Sequence, residues 1–303
     1  MTGAVALLAY AAVVGTLVPA VLRRATWTHR APVLGVALWQ GLALSFVVAV
    51  ALAAHHLAAP TEHLHSGLMG LLHACGLDAA SSTALPAEGG DAWRLLVPLA
   101  VGLWPVGWFA VLLTRSLRRR RRHIGLLDLV ARRAPELDAL VLDHDVPAAY
   151  CLPGRKHRVV LTRGALDILT PEQLRAVLEH ERAHVSGRHH LAQAAAEAYT
   201  RAFPLLPLAR RVEEETRLLL EMAADDRAVR HHSREALATA MYEVAAGQVP
   251  AAAFGAGGPA ALIRLRRLLA PARTTHPATW LTIASFAVAV PVLPLLVACG
   301  PVG

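Results

Sequence analysis

Leu178-Glu179-His180-Glu181-Arg182-Ala183-His184 is the stretch whose reading decides the fold. A helix sets positions four apart on one face, so the imidazoles of His180 and His184 can meet a single metal ion. Glu181 stands beside them, where a carboxylate can polarise a water on that metal. The preceding flank is suited to starting a helix. Thr170 can cap it, Pro171 fits the first helical position, and Gln173 can close a capping box. Leu174, Val177 and Leu178 supply an apolar face. The pattern predicts a helix that runs through His184 toward His190.

His180-Glu181-x-x-His184 is the signature pattern of zinc peptidases. A catalytic zinc takes three protein ligands and keeps one open position, so a third ligand is expected elsewhere in the chain. Glu221, in Glu221-Met222-Ala223-Ala224-Asp225, is the preferred candidate. It falls on a later helix, with Asp225 one turn along the same face and able to orient a ligating imidazole. His190 is the alternative, because His184-x-x-Gly187-x-x-His190 fits the Gly-turn form of the motif. The run after Gly187 reads as helical, however, and a continuing helix carries His190 away from the metal. The expected site is one zinc ion per chain on His180, His184 and Glu221, with Glu181 as the catalytic base and Asp225 behind the ligands. Candidate oxyanion donors are Arg227, Arg230, His231 and His232. His189 and His190 are expected to serve packing or local polar contacts.

Working outward, the 303-residue chain is 55% hydrophobic, with a mean hydropathy of +0.43. Ordinary globular chains are about 45–50% apolar. The excess lies in four runs, 3–22, 32–54, 95–113 and 278–299. Each is long enough to cross a bilayer at about 20 residues per crossing. The net charge is +8, and Lys156 is the only lysine. The arginines gather beside apolar runs, at Arg23, Arg24 and Arg30, at Arg115–Arg122, and at Arg264, Arg266 and Arg267. Positive-inside topology explains this better than nucleic-acid binding does, so no nucleic acid is expected. The predicted organisation is three spans over 1–114, with an outer loop at 55–93. A cytoplasmic domain over 115–270 follows, and then a fourth span with a short outer tail over 271–303. Histidines in the outer loop lack a ligand spacing, and Leu64–Cys75 reads as a short interfacial helix. Cys75, Cys151 and Cys299 form no CxxC pair, which argues against a disulfide scaffold or a cysteine-based zinc site.

Within the cytoplasmic domain, 124–134 reads as a short helix. Asp138–Leu142, Ala148–Leu152 and Arg158–Thr162 read as strands, with a turn at Pro153-Gly154-Arg155. Ala148–Leu152 is a candidate edge strand for an extended substrate. Residues 191–209 read as membrane-apposed, 211–246 as a long helix broken near Arg230–Ser233, and Val249–Ala260 as a linker.

The chain resembles the membrane zinc peptidases of the M56 and M48 groups, which include the protease module of beta-lactam-sensing receptors and the HtpX/CAAX-prenyl-protease type. The resemblance is carried by Ala149–Arg155, Val159–Leu166, Leu169–His184 and Glu221–Asp225. It implies a mostly α-helical integral membrane protein with about four transmembrane helices. It also implies a gluzincin-like zinc-peptidase domain containing a small antiparallel β-sheet. In such proteins the two histidines and the later glutamate bind zinc, mapping onto His180, His184 and Glu221, and the first-motif glutamate maps onto Glu181. No external sensor domain is expected after the last span. The expected activity is zinc-dependent endopeptidase cleavage, by attack of a zinc-bound water activated by Glu181. Protein or peptide substrates at the membrane or in the cytosol are expected, including a cytosolic regulator. A noncatalytic membrane scaffold or signalling protein on the same fold is the alternative.

Overall fold

The computed structural model describes residues 2–23, 26–58, 93–152, 158–248, 258–270 and 277–299. The outer-loop histidines at 63, 65 and 73, the Leu64–Cys75 segment, the Pro153-Gly154-Arg155 turn and most of the 249–260 linker lie outside them.

Among the described residues, four helices are long and apolar enough to cross a membrane. The first is continuous from Thr2 to Leu22, as α1 (Thr2–Ala12), a π-turn (Val13–Leu17) and α2 (Val18–Leu22). Thr16 Oγ1 donates to the Ala12 carbonyl at 2.6 Å, and Pro19 has no N–H to give to the ladder, so the local hydrogen-bond pattern loosens. α3 spans Pro32–Ala58, α4 Trp93–Val130 and the last helix, α11, Pro277–Cys299. α4 has 38 residues, which is about 57 Å at helical rise. Its apolar half fits a bilayer, and the arginine-rich remainder continues as a stalk. The expected separate helix at 124–134 is therefore the end of α4, followed by a short strand.

The sheet has four strands: β1 (Arg132–Ala134), β2 (Ala139–Leu142), β3 (Ala149–Leu152) and β4 (Arg158–Thr162), in the order β1-β2-β4-β3. β1 with β2 and β3 with β4 are antiparallel, while the central β2–β4 pair is parallel. β3 lies at an edge, as its sequence suggests. Thr162 then caps α5 (Arg163–Ile168), its side chain accepting from Ala165 N. Gly164 is obligatory here, because a Cβ would lie 1.9 Å from the Asp145 carbonyl oxygen.

α6 covers Pro171–Ser186 and opens with the expected capping box, in which Gln173 N donates to Thr170 Oγ1 and Thr170 N to Gln173 Oε1. The helix does not continue to His190. It ends at Gly187, Arg188 takes a left-handed conformation with φ 50°, and α7 (His189–Ala202) starts in a new direction. The periodicity of 189–197 does specify a helix, but a second one. α8 (Pro207–Ala228) and α9 (Arg234–Gln248) bracket the break expected near Arg230–Ser233. α10 spans Gly258–Leu269.

One hydrophobic core joins the spans to the helices that follow the sheet. Leu38, Trp39 and Leu42 of α3 pack with Tyr199 of α7 and with Leu208, Val212, Leu219 and Met222 of α8. Gly35 permits this approach, since a Cβ there would lie 2.9 Å from Leu219 Cδ1. Gln40, a polar residue in an apolar span, donates to Ala192 O at 3.1 Å and Thr216 Oγ1 at 3.4 Å. Trp104 Nε1 reaches Ala202 O at 3.2 Å, setting the end of α7 beside the apolar half of α4. A second cluster, including Val159, Leu161, Leu174 and Leu178, seats α6 on the sheet.

Candidate metal centre

α6 and α8 bring His180, His184 and Glu221 together. Their ligand atoms all lie within 4.8 Å of one another, a grouping that could hold a metal ion. His180 Nε2 and His184 Nε2 are 3.2 Å apart. Glu221 Oε2 lies 3.6 Å from His180 Nε2, and Glu221 Oε1 lies 3.4 Å from His184 Nε2. Ligand bonds of about 2.0–2.2 Å in a tetrahedron give ligand–ligand edges of about 3.3–3.6 Å, and two histidines with one glutamate are a known catalytic zinc set. The residues present therefore fit zinc. His190 is outside this grouping, because the break at Gly187–Arg188 sends it along α7 and not back over His184.

Each imidazole turns Nε2 inward and is held by its other nitrogen. His180 Nδ1 lies 3.0 Å from Asp225 Oδ1, and His184 Nδ1 lies 2.9 Å from His189 Nδ1. These contacts set the ring orientations, and the Asp225 carboxylate favours a proton on His180 Nδ1. Asp225 was legible in the sequence as the residue one helical turn after Glu221. His189 was not, because its placement depends on the left-handed Arg188.

Arg264 is the larger surprise. Its sequence position marks it as part of a basic cluster beside the last span. In the structure α10 turns it inward, and it donates from Nε and Nη2 to the two Asp225 oxygens at 2.9 and 2.8 Å. Its Nη1 lies 2.7 Å from Glu221 Oε2. The only sequence signal for such a residue is the unmet charge of two neighbouring carboxylates. Arg267 makes a parallel link, to Asp226 and to the His29 carbonyl.

The charge balance follows from these contacts. Burial pushes the Asp225 carboxyl up, but hydrogen bonds from Arg264 and His180 outweigh it and bring the pKa down to about 2. Burial likewise opposes ionisation of Glu221, and His180 and Arg264 together pull it down to about 2. Two carboxylates against one guanidinium leave a negative remainder. A proton on His180 answers it, so that its pKa rises although burial opposes this, and a divalent cation would answer it better. Burial lowers His184 to about 4, so this imidazole stays neutral, as a ligand must. Glu181 is pushed up to about 7 by burial, while the His180 charge pulls the other way.

His180, His184, Glu181 and Glu221 line a cavity of about 300 Å³ with Tyr150 and Cys151 of β3 and with His189, His190 and Gln193 of α7. The Cys151 backbone hydrogen-bonds to Glu181, so the edge strand borders the candidate base. The Cys151 thiol is raised to about 12, chiefly by burial, and is no nucleophile. The expected oxyanion donors are not brought to this cavity. Arg227 instead pairs with Glu179 at 3.2 Å. The N–H groups of His231 and His232 close the turn after α8 onto the Ala228 carbonyl, and Arg230, His231 and His232 are absent from the lining.

Fold and site together define a helical protein with spans apolar enough for a membrane and a His-His-Glu cluster able to hold a metal ion. Residues 117–219 match the family model described as Peptidase family M48. The match supports a gluzincin-type metallopeptidase fold, and it stops two residues short of Glu221. No curated protein matches the chain.

Proposed function

We propose that the protein is a zinc-dependent endopeptidase of the membrane, cutting protein or peptide substrates at the cavity between α6, α8 and β3. The observation that carries this reading is the convergence of three zinc-type ligands with a half-buried carboxylate, Glu181, on the same cavity. A zinc ion held by His180, His184 and Glu221 would act as a Lewis acid toward the scissile carbonyl and make a water acidic enough to attack at neutral pH. Glu181 accepts the proton of the attacking water and returns it to the leaving amine. Asp225 and His189 hold the imidazoles with Nε2 turned inward. Arg264 pairs with Glu221 Oε2, the oxygen that also faces His180, and offsets part of its charge. The edge strand β3 offers backbone groups to an extended substrate, laying it past Glu181.

We assign the peptidase region to the cytoplasmic side, an orientation supported by the arginines that follow the first and third apolar runs. The matched family favours an M48-like role. The four-span layout, with the site between the third and fourth spans, favours an M56-like one and a cytosolic regulator as substrate. Substrate trapping in membranes with Glu181→Gln tests the activity: proteins cut by the wild type should accumulate uncut on the variant, which should still bind one zinc. Cleavage that continues in the variant would sink the assignment and favour a noncatalytic scaffold.

A further inference from the structure

Beside the metal cavity, and sharing His190 and Gln193 with it, lies a second cavity of about 740 Å³ between α4 and α7. Arg115, Arg119 and Arg120 enter it from α4, and Arg201 enters from α7. Among the described residues on its wall the one carboxylate is Glu197, which already faces Arg201 at 3.4 Å. Among the described residues no carboxylate holds Arg115, Arg119 or Arg120. His190 contributes a buried Nδ1 with no hydrogen-bond partner. Such a concentration of one charge sign against a helical wall attracts anions.

The cavity has a direction. At one end His123 Nε2 meets the Tyr150 hydroxyl at 3.0 Å, next to the metal cavity, and Leu152 of β3 lines the wall. At the other end the wall reaches Leu112, where the apolar part of α4 begins. From Gln193 to Arg201 the wall runs for eight residues of helix, or about 12 Å. That length takes three to four residues of extended chain.

We propose that this basic corridor is a substrate-selecting extension of the cleavage site, and that it takes a cluster of acidic side chains within about four residues of the bond to be cut. The inference rests on the peptidase reading above. A chain laid along β3 leaves the metal cavity at Leu152 and enters the corridor, where the unpaired guanidiniums meet its carboxylates. A chain descending from the bilayer to the site would follow the same path from the other end, so a membrane-tethered substrate with an acidic juxtamembrane segment fits both the charge and the direction.

The test uses the full-length, zinc-loaded protein in nanodiscs of phosphatidylcholine. Fluorescent peptides carry a block of Glu, Gln or Lys on one or the other side of a common apolar centre. Binding to the Glu181→Gln protein is read by anisotropy, and cleavage by the wild type is read separately. One of the two Glu series should bind about tenfold tighter than its Gln twin, the scale of several exposed charge pairs acting together. The preference should fade as salt is raised. It should vanish in the Arg119→Gln, Arg120→Gln double variant and turn toward Lys peptides in Arg119→Glu, Arg120→Glu, an inversion that a merely structural role would not produce. Equal binding of Glu and Gln peptides overturns the proposal, as does a preference untouched by the variants. Retention of phosphatidylglycerol by the wild type but not by the variants, with no peptide preference, would assign the corridor to a lipid phosphate instead. Charge-selective binding without cleavage of any peptide would remove the peptidase reading alone. Cleavage without charge preference would remove the corridor alone.

Discussion

At the scale of single residues the site is a set of constrained protons. Glu181 has to be a carboxylate to accept one, and burial pushes its pKa to about 7. A cation in the adjacent cage draws that value down, so kcat/KM is expected to fall with acidification along a limb centred at or below about pH 7, and pH–rate profiles will locate it. Glu181→Gln should lower kcat by about 10²–10⁴-fold with zinc content unchanged by metal analysis. His189→Ala and Asp225→Asn each free one imidazole nitrogen and should weaken zinc binding about 10–100-fold in a competitive chelator titration. Asp225 also carries a pH-dependent stability. Its folded pKa, about 2, lies below the ordinary aspartate value, so its contribution is present above about pH 4 and is lost as the pH falls from about 4 toward 2. Thermal unfolding across that window should drop for the wild type and be flatter for Asp225→Asn.

At the scale of elements, the helix start at Thr170 was legible because a capping box is local chemistry between residues three apart. The pairing of α6 with α8 was legible only as a ligand requirement: two histidines demand a third partner, and Glu221-x-x-x-Asp225 has the helical spacing to supply one. What sequence could not show depended on direction. The turn at Gly187–Arg188 changes where His189 points; Gly187 signals a loosened helix, but nothing in Gly187-Arg188-His189-His190 gives the direction the chain takes after it. The inward face of α10 was hidden for a similar reason, since Arg264, Arg266 and Arg267 read alike in a basic run. The structure separates them by partner, giving Arg264 to Glu221 and Asp225 and Arg267 to Asp226. Arg264→Met should leave the 1%-exposed Asp225 side chain without its bidentate partner. Breaking a buried pair in this way costs about 3–5 kcal/mol, to be read as a lower melting temperature in detergent, together with weaker zinc binding.

At the scale of the whole molecule, the four apolar runs were visible from length and composition alone, but their packing was not. Hydropathy reports that α3 is apolar. It does not report that one side of α3 meets α7 and α8. Gly35 and Gln40 are the two residues that betray this contact, one by having no side chain where Leu219 approaches and one by being polar inside a span. Gly35→Val should overpack that contact at about 1–3 kcal/mol. Because Leu219 is two residues from Glu221, the variant should also lower zinc affinity, a span mutation read out at the metal by titration. Gln40→Leu leaves the buried Thr216 hydroxyl without this partner, and should cost about 1–3 kcal/mol in thermal unfolding.

The core shared by α3 and α8 also bears on how far the protein can be divided. Leu208, Val212, Leu219 and Met222 are buried against α3 and its neighbours. A fragment trimmed to begin after the third span would present that surface to water and would aggregate before it could be assayed. The bilayer helices are thus structural members of the metal site as well as its anchor. No soluble half carrying the metal site is expected to be released by cutting the stalk, because α11 still holds the site residues to the bilayer.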